Sequence, residues 1–145
     1  MEAGKISTSF SWSEFTKSDT AFRLHINNAI TDWDVRDNII ALVQDILQPL
    51  RDAWGGPIFI NSGYRCSELN KAVGGAETSQ HTKGQAADCG VTDPYALAKL
   101  VLLMKLDFDQ LIVYPSFVHI SYRRDGENRG QILYAKSWRG PKDLK

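Results

Sequence analysis

Apolar residues recur at intervals of three and four over Val35, Ile39, Leu42, Val43, Ile46, Leu47, Leu50 and Trp54, the spacing of one buried helical face. Thr31 or Asp32 can cap the start of this helix. Pro49 should kink its last turns, and Gly55-Gly56-Pro57 stops it. A second helix opens at Thr92 or Asp93 with Pro94 and runs through Met104. Leu97, Leu100, Val101 and Met104 supply its apolar face. Shorter helices are predicted at Trp12–Thr16, within a mixed leader over 1–30, and at Ser67–Ala72. Ser67 caps the latter and Gly74-Gly75 ends it.

The period changes to two in the last third. Residues 110–114 and 117–123 are β-rich runs separated by Pro115-Ser116. Residues 124–129 form a polar turn, and 131–135 read as a return strand that completes a meander. Along 117–123, Phe117, His119, Ser121 and Arg123 share one face, and Val118, Ile120 and Tyr122 share the other. The apolar set should meet the core, which points His119 at a more polar surface. Ile58-Phe59-Ile60 reads as a short buried strand, residues 75–84 as polar loop, and 86–91 as a further strand. The expected class is α+β: a single domain over 1–145 with a small antiparallel sheet flanked by helices. Residues 1–9 are expected to be a flexible leader and 136–145 a tail.

Composition narrows the function classes. The 145 residues suit one domain, and 43% hydrophobic content allows a sizeable core. Lys plus Arg and Asp plus Glu each count 17. That balance lacks the basic excess of a nucleic-acid binder and gives no sign of an acidic or membrane-seeking surface. The longest apolar stretch, Leu100 to Met104, is far below a membrane span. Residues 1–20 show no signal-peptide pattern, so synthesis in the cytoplasm is expected, as a monomer. Cys66 and Cys89 read as two buried free thiols, with a disulfide left open and a zinc role disfavoured by the absence of a Cys-x-x-Cys arrangement.

Two of the three histidines stand in company that could bind metal. His81 precedes Asp88 by seven residues, with a turn at Gly84 between them, and His119 follows 31 residues after Asp88. Zinc accepts imidazole nitrogen and carboxylate oxygen, and catalytic zinc sites commonly use three protein ligands plus a water. Zinc makes that water acidic enough to react near neutral pH and polarises a scissile carbonyl. On spacing alone a second reading stays open, in which His119 is a satisfied strand residue and Asp88 caps a loop. His25, in a polar segment without an acidic or thiol neighbour, reads as a surface or satisfied histidine.

Residues 79–88 fit S-x-H-x-x-G-x-A-x-D without a mismatch. Upstream stand Ser62-Gly63-Tyr64-Arg65, Leu69-Asn70 and Val73-Gly74-Gly75. Downstream stand Phe108-Asp109-Gln110-Leu111-Ile112 and Val118-His119-Ile120-Ser121. Over residues 10–135 the chain resembles the zinc D-alanyl-D-alanine carboxypeptidases and L-alanyl-D-glutamate endopeptidases, which share their fold with the Hedgehog signalling domain. The resemblance implies one Zn²⁺ per chain held by His81, Asp88 and His119. It implies a role for Arg65 as a bidentate clamp on a substrate carboxylate or as a stabiliser of the oxyanion. A structural salt bridge is the competing role for Arg65. Ser79 and Gln80 are expected to order the His81 loop.

Many relatives carry Asp or Glu three residues before the last histidine ligand, and that position is Ser116. Some phage-type relatives place a Glu shortly after the Phe-Asp-Gln-Leu-Ile segment, and the nearest match is Tyr114. Neither is a good base at neutral pH. Asp109, Asp107 and Glu77 are the candidate replacements, with Asp109 favoured for its place beside the central strand. The implied function is a zinc metallopeptidase of peptidoglycan stem peptides or cross-links, of phage or prophage type. It would act on the cell wall after release as an endolysin, or as part of a virion. The alternative is a catalytically impaired, zinc-stabilised module that binds wall peptide or a protein partner.

Overall fold

Two helical blocks bury their apolar stripes against one face of a five-stranded sheet, and this arrangement leaves the opposite face free to carry polar chemistry. The computed structural model describes residues 4–145. The elements are α1 (Trp12–Thr16), α2 (Asp19–Arg23), α3 (Trp33–Leu42), a π-helical turn (Val43–Leu47) and α4 (Gln48–Trp54). They continue with β1 (Phe59–Ser62), α5 (Ser67–Ala72), a 3₁₀ turn (Gln80–Lys83), β2 (Ala86–Gly90), α6 (Pro94–Leu103), β3 (Gln110–Val113), β4 (Phe117–Ser121) and β5 (Gln131–Tyr134). The α+β expectation holds.

The long apolar stripe forms one continuous helical rod from Trp33 to Trp54, started by Asp32, whose carboxylate accepts from the Asp34 and Val35 N–H groups. Pro49 has no N–H to offer the ladder. The irregularity comes just ahead of it, in the π turn, where the Gln48 N–H reaches back to the Val43 carbonyl. Gly55 closes the rod with φ +75°. Ile39, Leu42, Val43, Ile46, Leu47 and Leu50 are essentially inaccessible to solvent. They join Leu97 and Val101 of α6 and the inner sheet residues Ala87, Cys89, Leu111, Val113, Val118 and Ile120 in one core. Fully burying such a side chain is worth about 1.5–3 kcal/mol, so the sequence strongly fixes which sheet face turns inward.

The strand order is β1-β2-β4-β3-β5. The first four strands are antiparallel, but β5 runs parallel to β3, so the expected meander and all-antiparallel sheet are corrected. The reason is edge availability. β4 lies between β2 and β3 and has no open side when the chain returns. The free edge is that of β3, and a strand that reverses direction after β4 must enter it parallel. β1 occupies the other edge, and its residues alternate between the two faces: Ile60, opposite Cys89, is 2% exposed, whereas Phe59 points away from the core and is 62% exposed. A buried strand was expected there.

Smaller corrections follow from local hydrogen bonding. Cys66, not Ser67, caps α5, its Sγ accepting from the Leu69 N–H at 3.4 Å. Residues 4–9 are tied down where a flexible leader was expected: Gln48 accepts from Ser7 Oγ and the Ser9 N–H. The segment 136–145 packs back rather than trailing, with Trp138 stacked on Tyr95 and the Leu144 N–H donating to Tyr134 Oη. Residues 1–3 of the expected leader lie outside the described residues. Among the described residues no helix is long and apolar enough to cross a membrane.

Candidate metal centre

Asp88 and His119 stand directly opposite each other on β2 and β4. Both project from the face turned away from the core, because Ala87 and Cys89 on one strand and Val118 and Ile120 on the other point inward. Their side chains meet, with His119 Nδ1 2.9 Å from Asp88 Oδ1. His81 arrives from the 3₁₀ turn. Ser79 starts that turn, its hydroxyl accepting from the His81 N–H at 3.2 Å, and Gly84 ends it in the left-handed conformation at φ +72°. A Cβ on Gly84 would lie 2.7 Å from the Val35 carbonyl oxygen, so this turn closes against α3 only with glycine.

The His81 ring is 3% exposed. Its Nδ1 lies 2.7 Å from the Gly63 carbonyl oxygen. A carbonyl can only accept, so Nδ1 carries the proton and the Nε2 lone pair is free. Nε2 points at Asp88 Oδ1, 3.4 Å away. One ligand atom from each of His81, Asp88 and His119 lies within 4.8 Å of the other two. A tetrahedral zinc with bonds of 2.0–2.1 Å keeps its ligand atoms about 3.3 Å apart. The two separations to Asp88 fall close to that spacing. Two imidazoles and one carboxylate, with one imidazole held by a backbone acceptor, therefore fit Zn²⁺. Burial of Asp88 opposes its ionisation, but the hydrogen bonds and charges of His119 and His81 outweigh it and hold the carboxyl below its usual range.

Arg65 flanks the centre. Its Nη2 lies 3.9 Å from Asp88 Oδ2, its Nε donates to Ser62 Oγ at 3.2 Å, and its Nη1 donates to Asn70 Oδ1 at 3.0 Å. Asn70, 4% exposed, donates in turn to the Ala76 carbonyl. The Arg65 N–H bonds to the His81 carbonyl at 3.1 Å, so the SGYR segment and the metal turn are joined through backbone. Asn28, also buried, accepts from the Cys66 N–H and donates to the Tyr64 carbonyl, bracketing Arg65 on both sides.

A cleft of about 640 Å³ opens over the centre, with Arg65, His81, Tyr114, His119, Gln80 and Asp109 in its wall. Tyr114 stacks on Phe117, ring centroids 4.2 Å apart. Burial, then the Asp88 charge, pushes its hydroxyl above the ordinary tyrosine range, so it meets a ligand as a hydrogen-bond donor. Ser116 is exposed on the β3–β4 turn and is not part of the cleft wall. Ser79 and Gln80 lie in the wall beside His81.

Asp109 is 1% exposed and fully engaged. Its Oδ1 accepts from the Arg129 N–H and Nε, and its Oδ2 accepts from Arg129 Nη2 and Gln80 Nε2, all within 2.9–3.1 Å. The Arg129 hydrogen bonds hold its carboxyl below the usual range. Every direction in which it could take a proton is occupied, which argues against the general-base expectation and gives it the geometry of a tether for Gln80. Asp107 is exposed and accepts from Asn128, and Glu77 lies outside the metal cleft. Sequence reading missed Gly63, Asn70 and Arg129. Asn70 belonged to a quoted motif but signalled no role, and a backbone acceptor such as Gly63 leaves no residue-type signal.

Cys66 and Cys89 are both free thiols. Cys89 is fully buried as expected, whereas Cys66 is half-buried.

Over 45 residues the chain is 49% identical to the zinc D-Ala-D-Ala carboxypeptidase of Streptomyces albus G. That stretch is 30% of this chain and spans 18% of the relative. The family model described as Peptidase M15 matches residues 8–121, which contain all three candidate ligands, Arg65 and the whole β1–β4 sheet. The chain belongs to the M15 peptidase family.

Proposed function

We propose that this domain is a zinc-dependent peptidase that cleaves peptide bonds in bacterial peptidoglycan, in stem peptides or cross-links, as a D,D-carboxypeptidase or an endopeptidase. The observation that carries the proposal is the His81–Asp88–His119 cluster, whose two histidines line a cleft together with Arg65. Family membership supports it.

The chain's own groups divide the work. His81, Asp88 and His119 hold the ion, and zinc when bound supplies an acidified water and a Lewis acid for the scissile carbonyl. Arg65 is pre-aimed by Ser62 and Asn70 and receives a peptide carboxylate or stabilises charge developing on the carbonyl oxygen. Tyr114, held flat by Phe117, offers a second donor from the β3 end of the cleft. The turn that carries His81 is held at its start twice, by the Ser79 hydroxyl and through Gln80 by Asp109.

The test is incubation of zinc-loaded protein with purified peptidoglycan and with peptides ending in D-Ala-D-Ala, followed by mass spectrometry. New amine termini or released D-Ala support the proposal. Intact substrates across pH 5–9 and several wall chemistries sink it. The finer expectation of a phage-type lytic enzyme is checked on whole cells, where added protein should clear turbidity after outer-membrane permeabilisation.

One observation favours a second reading. Asp109 is the one carboxylate in the cleft wall among the described residues, and it is fully hydrogen-bonded. A zinc-stabilised module that binds wall peptide without cutting it would show saturable binding to the same substrates and no products.

A further inference from the structure

Asp88 and His119 are fixed by the pairing of β2 with β4. His81 is the candidate ligand that stands off the sheet, on the 3₁₀ turn Gln80–Lys83. The geometry of the centre therefore depends on what holds that turn. The segment between β4 and β5, residues 122–130, reaches it at three separate points. At the start of the turn, Gln80 donates to Asp109, the carboxylate gripped by Arg129. At its exit, Asn38 of α3 donates to the Lys83 carbonyl at 2.9 Å, and the Asn38 Oδ1 accepts from Arg124 Nε at 2.7 Å. Just beyond, the Tyr122 N–H donates to the Gln85 carbonyl at 2.9 Å.

The segment is braced for this contact. Asn128 spans it, its Oδ1 accepting from the Arg123 N–H at 2.8 Å and its Nδ2 donating to the Arg123 carbonyl at 3.2 Å. Its end is tied to the sheet, where the Gly130 N–H donates to the Phe108 carbonyl at 3.0 Å. Arg124 is held to the first turn of α3 as well, with Nη2 3.5 Å from Asp34 Oδ1. Two arginines of one segment thus act on opposite ends of the His81 turn, each through an intermediate side chain, and neither belongs to the ligand cluster.

We infer that Arg124 and Arg129 are positioning residues, which set the His81 turn before metal arrives and so tighten zinc binding. This rests on the zinc-ligand assignment and not on the bond that is cleaved. A turn left free would have to lose conformational entropy when the ion binds. A turn already held by Gln80 and Asn38 presents the His81 Nε2 in place, and the affinity rises accordingly.

The experiment measures zinc affinity by competition with a chromophoric chelator, without substrate, beside the thermal unfolding of the metal-free protein. Gln80→Met cuts the link at the start of the turn and leaves the Asp109–Arg129 pair intact. Asn38→Asp keeps an acceptor for Arg124 but loses the donor to the Lys83 carbonyl. Each should weaken zinc binding roughly threefold and the two together roughly tenfold, the low end for partners of metal ligands, because these groups act through the turn and not on the ring. Arg124→Met/Arg129→Met should weaken it at least as much. If that variant does not fold, the Gln80→Met/Asn38→Asp protein carries the test alone. Trp138→Leu, which unstacks the C-terminal segment from Tyr95, controls for a general loss of stability and should unfold at lower temperature with zinc affinity unchanged. Unchanged affinity in Gln80→Met/Asn38→Asp, or an equal weakening in Trp138→Leu, overturns the proposal alone. No zinc uptake by the natural protein overturns the ligand assignment and the proposal with it. Tight zinc binding without cleavage of any wall peptide sinks the peptidase reading and leaves the positioning role standing.

Discussion

Asn70 is the side chain through which Arg65 is held, so Asn70→Ala isolates the positioning of the clamp from the clamp itself. Two hydrogen bonds are lost: Arg65 Nη1 to Asn70 Oδ1 at 3.0 Å and Asn70 Nδ2 to the Ala76 carbonyl at 2.8 Å. A hydrogen bond to a charged partner is worth about 1.5–3 kcal/mol and a neutral one about 0.5–1.5. Ala76 is exposed, so its carbonyl can turn to water and the second contribution lies at the low end. The sum is about 2–4 kcal/mol. For a domain of this size each kcal/mol moves Tm by roughly 3–4 °C, so a fall of about 6–16 °C is expected in thermal unfolding followed by circular dichroism. The functional readout is separate. If Asn70 aims Arg65, KM for a carboxylate-bearing peptide should rise about tenfold, with zinc content unchanged. Asn70→Asp keeps an acceptor for Arg65 and should restore much of KM while leaving part of the stability loss. A Tm within 2 °C of the natural protein together with an unchanged KM would refute the assignment. Gly75→Ala makes an independent check, because its Cβ would collide with Asn70 Oδ1 and should produce the same KM rise.

His81→Ala and His119→Ala should each lower metal content well below one zinc per chain by elemental analysis, and full occupancy in both would remove them from the ligand set. Tyr122 donates to Asp45 at 2.8 Å, and that bond pushes its hydroxyl up to about 12. A tyrosine whose folded value lies above the unfolded value of about 10 adds stability that is present below pH 10 and lost as pH rises through 12. Tyr122→Phe should therefore cost stability at pH 8 and less at pH 12, read from denaturant midpoints. Cys89 is fully buried and burial pushes its thiol up, whereas Cys66 is half-buried. A thiol reagent should titrate one group in the folded protein and two after unfolding.

What the sequence made legible is what residue type alone specifies. The stripe from Val35 to Trp54 needs no partner to be read as a helix, and the alternation along β4 told which face His119 takes. The motif over 79–88 named His81 and Asp88, and these converge with His119 in space. The missed features are relational. The parallel entry of β5 depends on which sheet edge is open after β4 is flanked, and no local period encodes that. The exposure of Phe59 depends on the face it takes, which no helix covers. Asp109 and Arg129 are 20 residues apart, with nothing local in the sequence to pair them. That pairing changes the reading of Asp109 from an available base to a tether.

The question of proton acceptance then comes down to Tyr114. Asp88 belongs to the candidate ligand cluster, Asp109 accepts four hydrogen bonds, and Ser116 is exposed on a turn outside the cleft wall. Tyr114 stands in the wall with Arg65 and His119 but stays protonated at neutral pH. A site without a positioned base forgoes help typically worth about 10²–10⁴-fold. Tyr114→Glu would place a carboxylate in the cleft wall that His119 and Arg65 also line. The substitution also removes the stack on Phe117, so Tyr114→Gln is the control that shares this loss without gaining a base. Turnover of the Glu variant should exceed that of the Gln variant by at least tenfold at pH 7, and the advantage should disappear as pH falls and the new carboxylate is protonated. Equal turnover of the two variants across pH 5–8 would mean that a carboxylate at residue 114 does not serve the reacting water, and that this chain's slow step is set elsewhere.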